Sequence, residues 1–230
     1  EHPGLLGPDE YDVAGAATGV VEHDQMLRSE TVVPGDVVLA LSSSGLHSNG
    51  FSLVRKIVAD AGWSYDTEIP DFSGPLGVEL LEPTRLYTKA LVGVLSAHPG
   101  AIRVLSHVTG GGIAQNLSRV LPPHVAVDVD RSTWTPTPIM QVLARAAGFD
   151  LERVEDTWNM GIGMLAVVDQ ARAADITQAL ENSGHTTWQV GEVREISASD
   201  HEGAVTSAKG VEGGAVTLVS GYADSSSARS

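Results

Sequence analysis

Residues 33–62 read VPGDVVLALSSSGLHSNGFSLVRKIVADAG, and this stretch decides the fold class. Pro34-Gly35 is a turn signal. Residues 36–41 follow as a short apolar run that suits a buried strand. Val54, Ile57, Val58 and Ala61 then recur at i, i+3, i+4 and i+7, the spacing of one helix face, and Gly62 ends the helix. Between strand and helix lies a Ser/Gly-rich loop in which Ser48 is placed to cap the helix. Strand, small-residue loop and helix in that order form the unit of a layered α/β or α+β domain.

Working outward, the alternation continues. A helix is expected from about Pro83, with Tyr87, Leu91, Val94 and Leu95 on one face and Pro99-Gly100 at its end. A brief strand over 104–107 leads through glycines into a helix over 113–120, stopped before Pro122-Pro123. Residues 125–129 form a strand. Ile139, Val142, Leu143 and Ala146 mark a helix ended by Gly148. A strand over 163–168, a helix marked by Ala173, Ile176 and Leu180 before Gly184, and a strand over 187–193 complete the series. No repeat at solenoid periods is visible. The expected architecture is a mixed sheet packed against helices.

The flanks differ. Residues 11–22, YDVAGAATGVVE, alternate small and β-branched residues without a helix period and read as one strand. A lone strand needs sheet partners. After about Glu195 the chain becomes polar and glycine-rich, with a late strand over 215–220. Ser225-Ser226-Ser227 is low-complexity and expected to be mobile. The division is therefore 1–22, 23–195 and a polar tail over 196–230.

Composition narrows the function classes. Of 230 residues, 42% are hydrophobic and 19% charged, which is ordinary globular material. Lys plus Arg number 14 against 29 Asp plus Glu, a net charge of −15. Nucleic acid and anionic membrane both call for clustered basic residues, so neither is an expected partner. There are no cysteines, which excludes disulfides, thiolate–zinc sites and thiol nucleophiles. With no signal-peptide pattern or apolar span, a cytoplasmic protein is expected. The eight histidines are scattered, so no protein-built metal site is expected.

Three stretches have the residues for chemistry. The first runs from Ser42 through Ser43, Ser44, Gly45, Leu46, His47, Ser48 and Asn49 to Gly50. Backbone N–H groups at a helix start attract phosphate, hydroxyls add donors, and His47 and Asn49 can orient a ligand. The bland reading is a well-capped strand–helix turn. The second is Ser106, His107, Val108, Thr109, Gly110, Gly111 and Gly112. Three consecutive glycines are costly in chain entropy and make sense where backbone approaches something closely. No Gly-Lys-Ser/Thr follows, and the spacing is not that of a dinucleotide site. The bland reading is a tight helix start packed on a neighbour. The third, residues 159–164 (NMGIGM), reads by itself as close packing. Arg85 in EPTRLY could meet a carboxylate or a phosphate, with a helix-start ion pair as the default.

Taken in order, YDVAGAATGVVE, VPGDVVLALSSSGLHSNGFSLVRK, LLEPTRLY, SHVTGGGIAQNLSRVLP and WNMGIGMLAVV resemble phosphoribosylformylglycinamidine cyclo-ligase, or aminoimidazole ribonucleotide synthetase, of purine biosynthesis. The resemblance covers most of the chain. It implies the carboxy-terminal α/β domain of a two-domain enzyme in which ATP activates an amide oxygen of formylglycinamidine ribonucleotide and a substrate nitrogen closes the imidazole. It implies a homodimer, with ATP and Mg2+ held mostly by an amino-terminal domain. Residues 1–22 would be the last strand of that domain. The chain starts at Glu1 rather than Met, so it is expected to be a processed or cut piece, inactive alone.

With the resemblance, the candidate set is His47 and His107 for proton handling or phosphate contact. Ser43, Ser44, Gly45, Ser48, Asn49, Gly50, Thr109, Gly110, Gly111, Gly112 and Asn159 would bind the phosphorylated ribonucleotide. The alternatives are another enzyme of the superfamily, such as formylglycinamide ribonucleotide amidotransferase, selenophosphate synthetase or thiamine-phosphate kinase, and a stand-alone phosphate-ligand-binding module.

Overall fold

The computed structural model describes residues 11, 13–201, 203–208 and 210–223. Seven strands form one mixed sheet: β1 (Val37–Ser42), β2 (Ile102–His107), β3 (Val125–Asp130), β4 (Ile162–Val168), β5 (Thr187–Glu195), β6 (Val205–Ala208) and β7 (Val211–Val219). Their spatial order is β2-β4-β1-β5-β3-β7-β6. Neighbours run antiparallel except β3 and β7, which are parallel. Six helices accompany them: α1 (Phe51–Asp60), α2 (Leu76–Leu80), α3 (Thr88–Ala97), α4 (Gly112–Ser118), α5 (Pro138–Ala147) and α6 (Ala173–Asn182).

The apolar run of β1 has a simple cause. Val38 and Ala40 face a core shared with α1, α2, α4 and α5, whereas Val37, Leu39 and Leu41 face a second core under α3 and α6. A strand covered on both faces needs no polar alternation. Its partners, β4 and β5, come from late in the chain, with Ala40 opposite both Leu165 and Trp188. Gly62, at φ 66°, ends the α1 turn as expected, and Gly148, at φ 65°, ends α5.

Several expectations are corrected. The described residues of 11–22 form no strand and are exposed. None of the strand pairings among the described residues includes them, and a strand is not stable without sheet partners. The helix expected from Pro83 begins five residues later, at Thr88. The chain before it stays irregular because its groups bond the 42–47 loop instead. Short α2 carries a sparse apolar pattern that gave no sequence signal. Ala61 and Ala146 lie exposed at the ends of their helical stripes.

The polar tail contributes more than a late strand. β7 extends the sheet beside β3, and β6 folds back on it. Gly213 and Gly214 let β7 press against α4: a Cβ at Gly213 would lie 1.9 Å from the Ser118 carbonyl oxygen. Ser225 to Ser227 lie outside the described residues. No helix among those described is long and apolar enough to cross a membrane.

Candidate functional site

The three stretches singled out in the sequence meet at one end of β1, β2 and β4. Ser43 N–H donates to the Gly161 carbonyl at 2.8 Å, and Val108 N–H to the Gly163 carbonyl at 3.0 Å. Asn159, buried with 1% of its surface exposed, clamps the first stretch to the third. Its Oδ1 accepts from Ser43 Oγ (3.1 Å) and Gly161 N–H (2.9 Å), and its Nδ2 donates to the Gly45 carbonyl (2.8 Å). Asn49 joins the first to the second: Nδ2 donates to the His47 carbonyl at 2.8 Å and Oδ1 accepts from Gly110 N–H at 3.1 Å.

The first stretch is strained where it faces the site. His47 (φ 52°) and Ser48 (φ 60°) both occupy the left-handed region without being glycine. Such conformations cost of the order of 1 kcal/mol or more each and persist only where surroundings over-determine them. Ser48 is exposed and does not cap α1; Gly50 holds the cap position, without a side-chain bond. A glycine is required there, since a Cβ would sit 2.6 Å from the Trp158 ring. The first-turn amides of Phe51 and Ser52 have no acceptor among the described residues. They point the positive end of α1 at this loop.

His47 is 96% buried in a fixed state. Its Nε2 accepts from Ser44 N–H at 3.0 Å and Arg85 N–H at 3.3 Å. Ser44 Oγ also lies 3.0 Å from Nε2 and gives its own proton to the Pro83 carbonyl at 2.6 Å. Two backbone donors on one nitrogen leave the ring proton on Nδ1, which is buried and without a partner. Burial, with help from nearby His107 and Arg85, lowers His47 to about 4. The imidazole is therefore neutral across the physiological range. Titration near neutral pH, the ground on which the sequence nominates His47 for proton handling, does not apply to it in this state.

Sequence reasoning underrated three neighbours. Arg85 was assigned a helix-start ion pair by default. It lies before α3 rather than in it, has no carboxylate within salt-bridge distance among the described residues, and donates through Nη1 to Ser42 Oγ at 3.1 Å. Tyr87, expected on a helical core face, instead precedes α3 and donates its hydroxyl to the Ser42 carbonyl at 2.8 Å. Burial pushes its phenol up, so it remains a donor. His185, which gave no sequence signal, packs its ring 5.3 Å from that of Tyr87, and burial lowers it too. Gly163 makes room for the arrangement: a Cβ would lie 1.9 Å from Tyr87 Oη and 2.6 Å from His47 Cε1.

The second stretch is built differently. His107 ends β2 and is exposed. Gly110, Gly111 and Gly112 direct their N–H groups to Asn49 Oδ1, the Asp156 carbonyl (2.9 Å) and the Thr109 carbonyl (3.0 Å). Thr109 Oγ1 donates to Asn116 Oδ1 at 3.1 Å. A Cβ at Gly112 would lie 1.7 Å from the Glu155 carbonyl oxygen. These glycines thus admit a neighbouring backbone, and their amides are occupied within the chain.

Family comparison agrees with this convergence of motifs. A family model described as AIR synthase related protein, C-terminal domain, matches residues 33–201. The chain belongs to that family. Members similar to it include the phosphoribosylformylglycinamidine cyclo-ligase of Bacillus licheniformis, 41% identical over 195 residues, covering 84% of this chain and 56% of that protein. That of Polaromonas sp. is 43% identical over 191 residues, covering 83% and 54%. That of Bacillus subtilis is 39% identical over 208 residues, covering 90% and 60%. The chain thus spans somewhat more than half the length of these cyclo-ligases. Thiamine-monophosphate kinase from Stenotrophomonas maltophilia shares the fold, with a TM-score of 0.53 at 17% identity over 89% of this chain and 56% of that one. The AIR synthase C-terminal fold is accordingly the architecture that holds the site.

Proposed function

We propose that this chain supplies the substrate-facing side of an ATP-dependent cyclo-ligase that closes formylglycinamidine ribonucleotide to aminoimidazole ribonucleotide. The observation that carries the reading is the meeting of Arg85, the Phe51 and Ser52 amides and the neutral His47 ring around the 42–50 loop. In a chain of net charge −15, an anionic ribonucleotide needs such a local concentration of donors. Arg85 and the α1 amides would hold the phosphate, buried His47 would fix the loop by accepting from Ser44 and Arg85 N–H, and exposed His107 would contact the ligand at the rim. Asn49 and Asn159 would keep the loops in register. Preorganised donors of this kind stabilise charge as it develops. Names and identities of the relatives favour the cyclo-ligase over other enzymes of the fold.

ATP and Mg2+ belong to this reading. Among the described residues no three His, Asp or Glu side chains gather to hold a metal ion. The described residues thus offer no magnesium site of their own. In the proposal, nucleotide, metal and the contact between two copies fall to the part of such a cyclo-ligase that this chain does not span. The chain alone is then inactive.

Calorimetric titration with formylglycinamidine ribonucleotide, and separately with ATP, tests the reading. Binding of the ribonucleotide without ATP, weakened at least tenfold in Arg85→Ala, is expected. Equal binding by wild type and Arg85→Ala would remove the phosphate assignment. Formation of aminoimidazole ribonucleotide by the chain alone would end the idea that it needs a second part.

A further inference from the structure

A buried ionic cluster lies behind the glycine-rich start of α4, where the Glu155 carbonyl abuts Gly112. Arg131 Nε and Nη2 pair with both carboxylate oxygens of Glu155, the second at 2.8 Å. Their side chains are only 13% and 10% exposed. Arg131 Nη1 also donates to the carbonyls of Leu218 (2.8 Å) and Ser220 (3.0 Å), where the chain leaves β7. Tyr222 then donates its hydroxyl to Glu155 Oε1 at 2.6 Å. Burial and the adjacent carboxylate push that phenol up, so it stays a donor. All three residues of β7's exit that close the cluster lie beyond residue 201, where the family match ends.

The cluster has two outlets toward the site. The backbone of Glu155 and Asp156 is the surface on which the glycines rest: the Glu155 carbonyl abuts Gly112 and the Asp156 carbonyl accepts from Gly111. Tyr222 also packs edge-on against Trp134, ring centroids 5.4 Å apart, and Trp134 Nε1 donates to the carbonyl of Met160 at 2.9 Å. Met160 is buried at φ 52° and precedes Gly161, which receives Ser43. At the far end of α4, Ser118 Oγ donates to the Gly214 carbonyl of β7 at 2.8 Å. One segment of the tail therefore grips α4 at both ends.

The geometry points to Arg131, Glu155 and Tyr222 as positioning residues through which the segment after β7 sets the shape of the glycine-rich loop and the Met160–Gly161 turn. A buried pair that only added stability would be replaceable by apolar groups. A pair that sets local geometry is felt first at the backbone it supports. The effect on the loop follows from contacts alone, whereas the effect on ligand rests on the proposed function.

Amide hydrogen exchange in Tyr222→Phe tests this, because that change deletes one hydroxyl and keeps the ring packed on Trp134. Exchange at Gly111 and Gly112 is expected to rise roughly ten- to a hundredfold, the range for losing one hydrogen bond to a charged group. Leu143 and Ala144 of α5 should stay within about twofold. No change at the two glycines, or an equal rise everywhere, overturns the inference. Glu155→Gln, which keeps the shape and removes the charge, should repeat the pattern more strongly. Ribonucleotide titration separates this idea from the function it serves. Weaker binding by Tyr222→Phe with a loosened loop supports both. A loosened loop in a chain that never binds ribonucleotide supports the positioning role and removes the function.

Discussion

The two helix starts look alike in sequence and differ in physics. The 42–50 loop turns into α1 with strained non-glycine residues, unpaired first-turn amides and a buried neutral histidine. The 107–112 loop turns into α4 with the amides of its three glycines satisfied and those glycines pressed against residues 155 and 156. In the proposed reading the first presents groups to a ligand; the second packs as a wall and is tied to the first through Asn49. Small residues at a helix start can thus serve presentation or close packing, and only the fate of the N–H groups tells which.

The largest test of that contrast is Gly112→Ala. With φ at 69° and a Cβ 1.7 Å from a carbonyl oxygen, the backbone itself must move. A loss of about 4 kcal/mol in urea unfolding is expected. A loss below about 1 kcal/mol would mean that the wall is soft and the contrast false. Asn159→Ala comes next. It strands three buried hydrogen-bonding partners and should cost about 2–3 kcal/mol. Ribonucleotide binding should fall further than in core variants of similar stability such as Leu143→Ala, since Asn159 shapes the presenting loop directly.

A comparable effect concerns pH. His47 is lowered in the folded chain from 6.5 to about 4, so the unfolded chain binds its proton first on acidification. Stability is therefore undiminished above pH 6.5 and falls as pH drops from there toward 4, by about 3 kcal/mol from this residue. His185, also lowered, adds in the same direction. Unfolding midpoints of wild type and His47→Gln should converge at acid pH relative to neutral. Parallel curves would show that His47 is not held neutral. Smallest is Asn49→Ala, which unlinks the two loops at a cost of about 1 kcal/mol. It should weaken ligand binding more than it lowers the melting temperature; the reverse order would make Asn49 part of the wall.

Much of the fold was legible because its signals are local. The apolar run of β1, the stripe of Val54, Ile57 and Val58, and the glycines at 62 and 148 each need only near neighbours to be read. The strand assigned to 11–22 has the same local signal, yet strands require partners. The tail was read as mostly polar because β6 and β7 take their stability from β3 and α4, far off in sequence. The candidate loops were visible for the same reason as the helices. Arg85 is legible only as an alternative to an ion pair, Tyr87 only as a helical core residue and His185 not at all, because their roles arise where residue 85 meets residue 42 and residue 87 meets residue 185. The state of His47 depends on Arg85 N–H, another long-range contact.

The pairing of β1 with β4 and β5 has a consequence for how the chain acquires its shape. Ala40 finds its neighbours only at Leu165 and Trp188, so the middle of the sheet closes through very long loops. Contacts this distant in sequence form slowly, and little local structure can anticipate them. On a ribosome, residues 42–50 emerge well before Asn159 and Gly161 and stay without them until those later residues have been made. Pulse-labelled exchange during refolding should show α1 and α5 protected before the amides of Ser43 and Ser44; protection of those serines in the first phase would contradict it. The loop proposed to present the ligand groups is thus made well before its partners and is among the last to take its form.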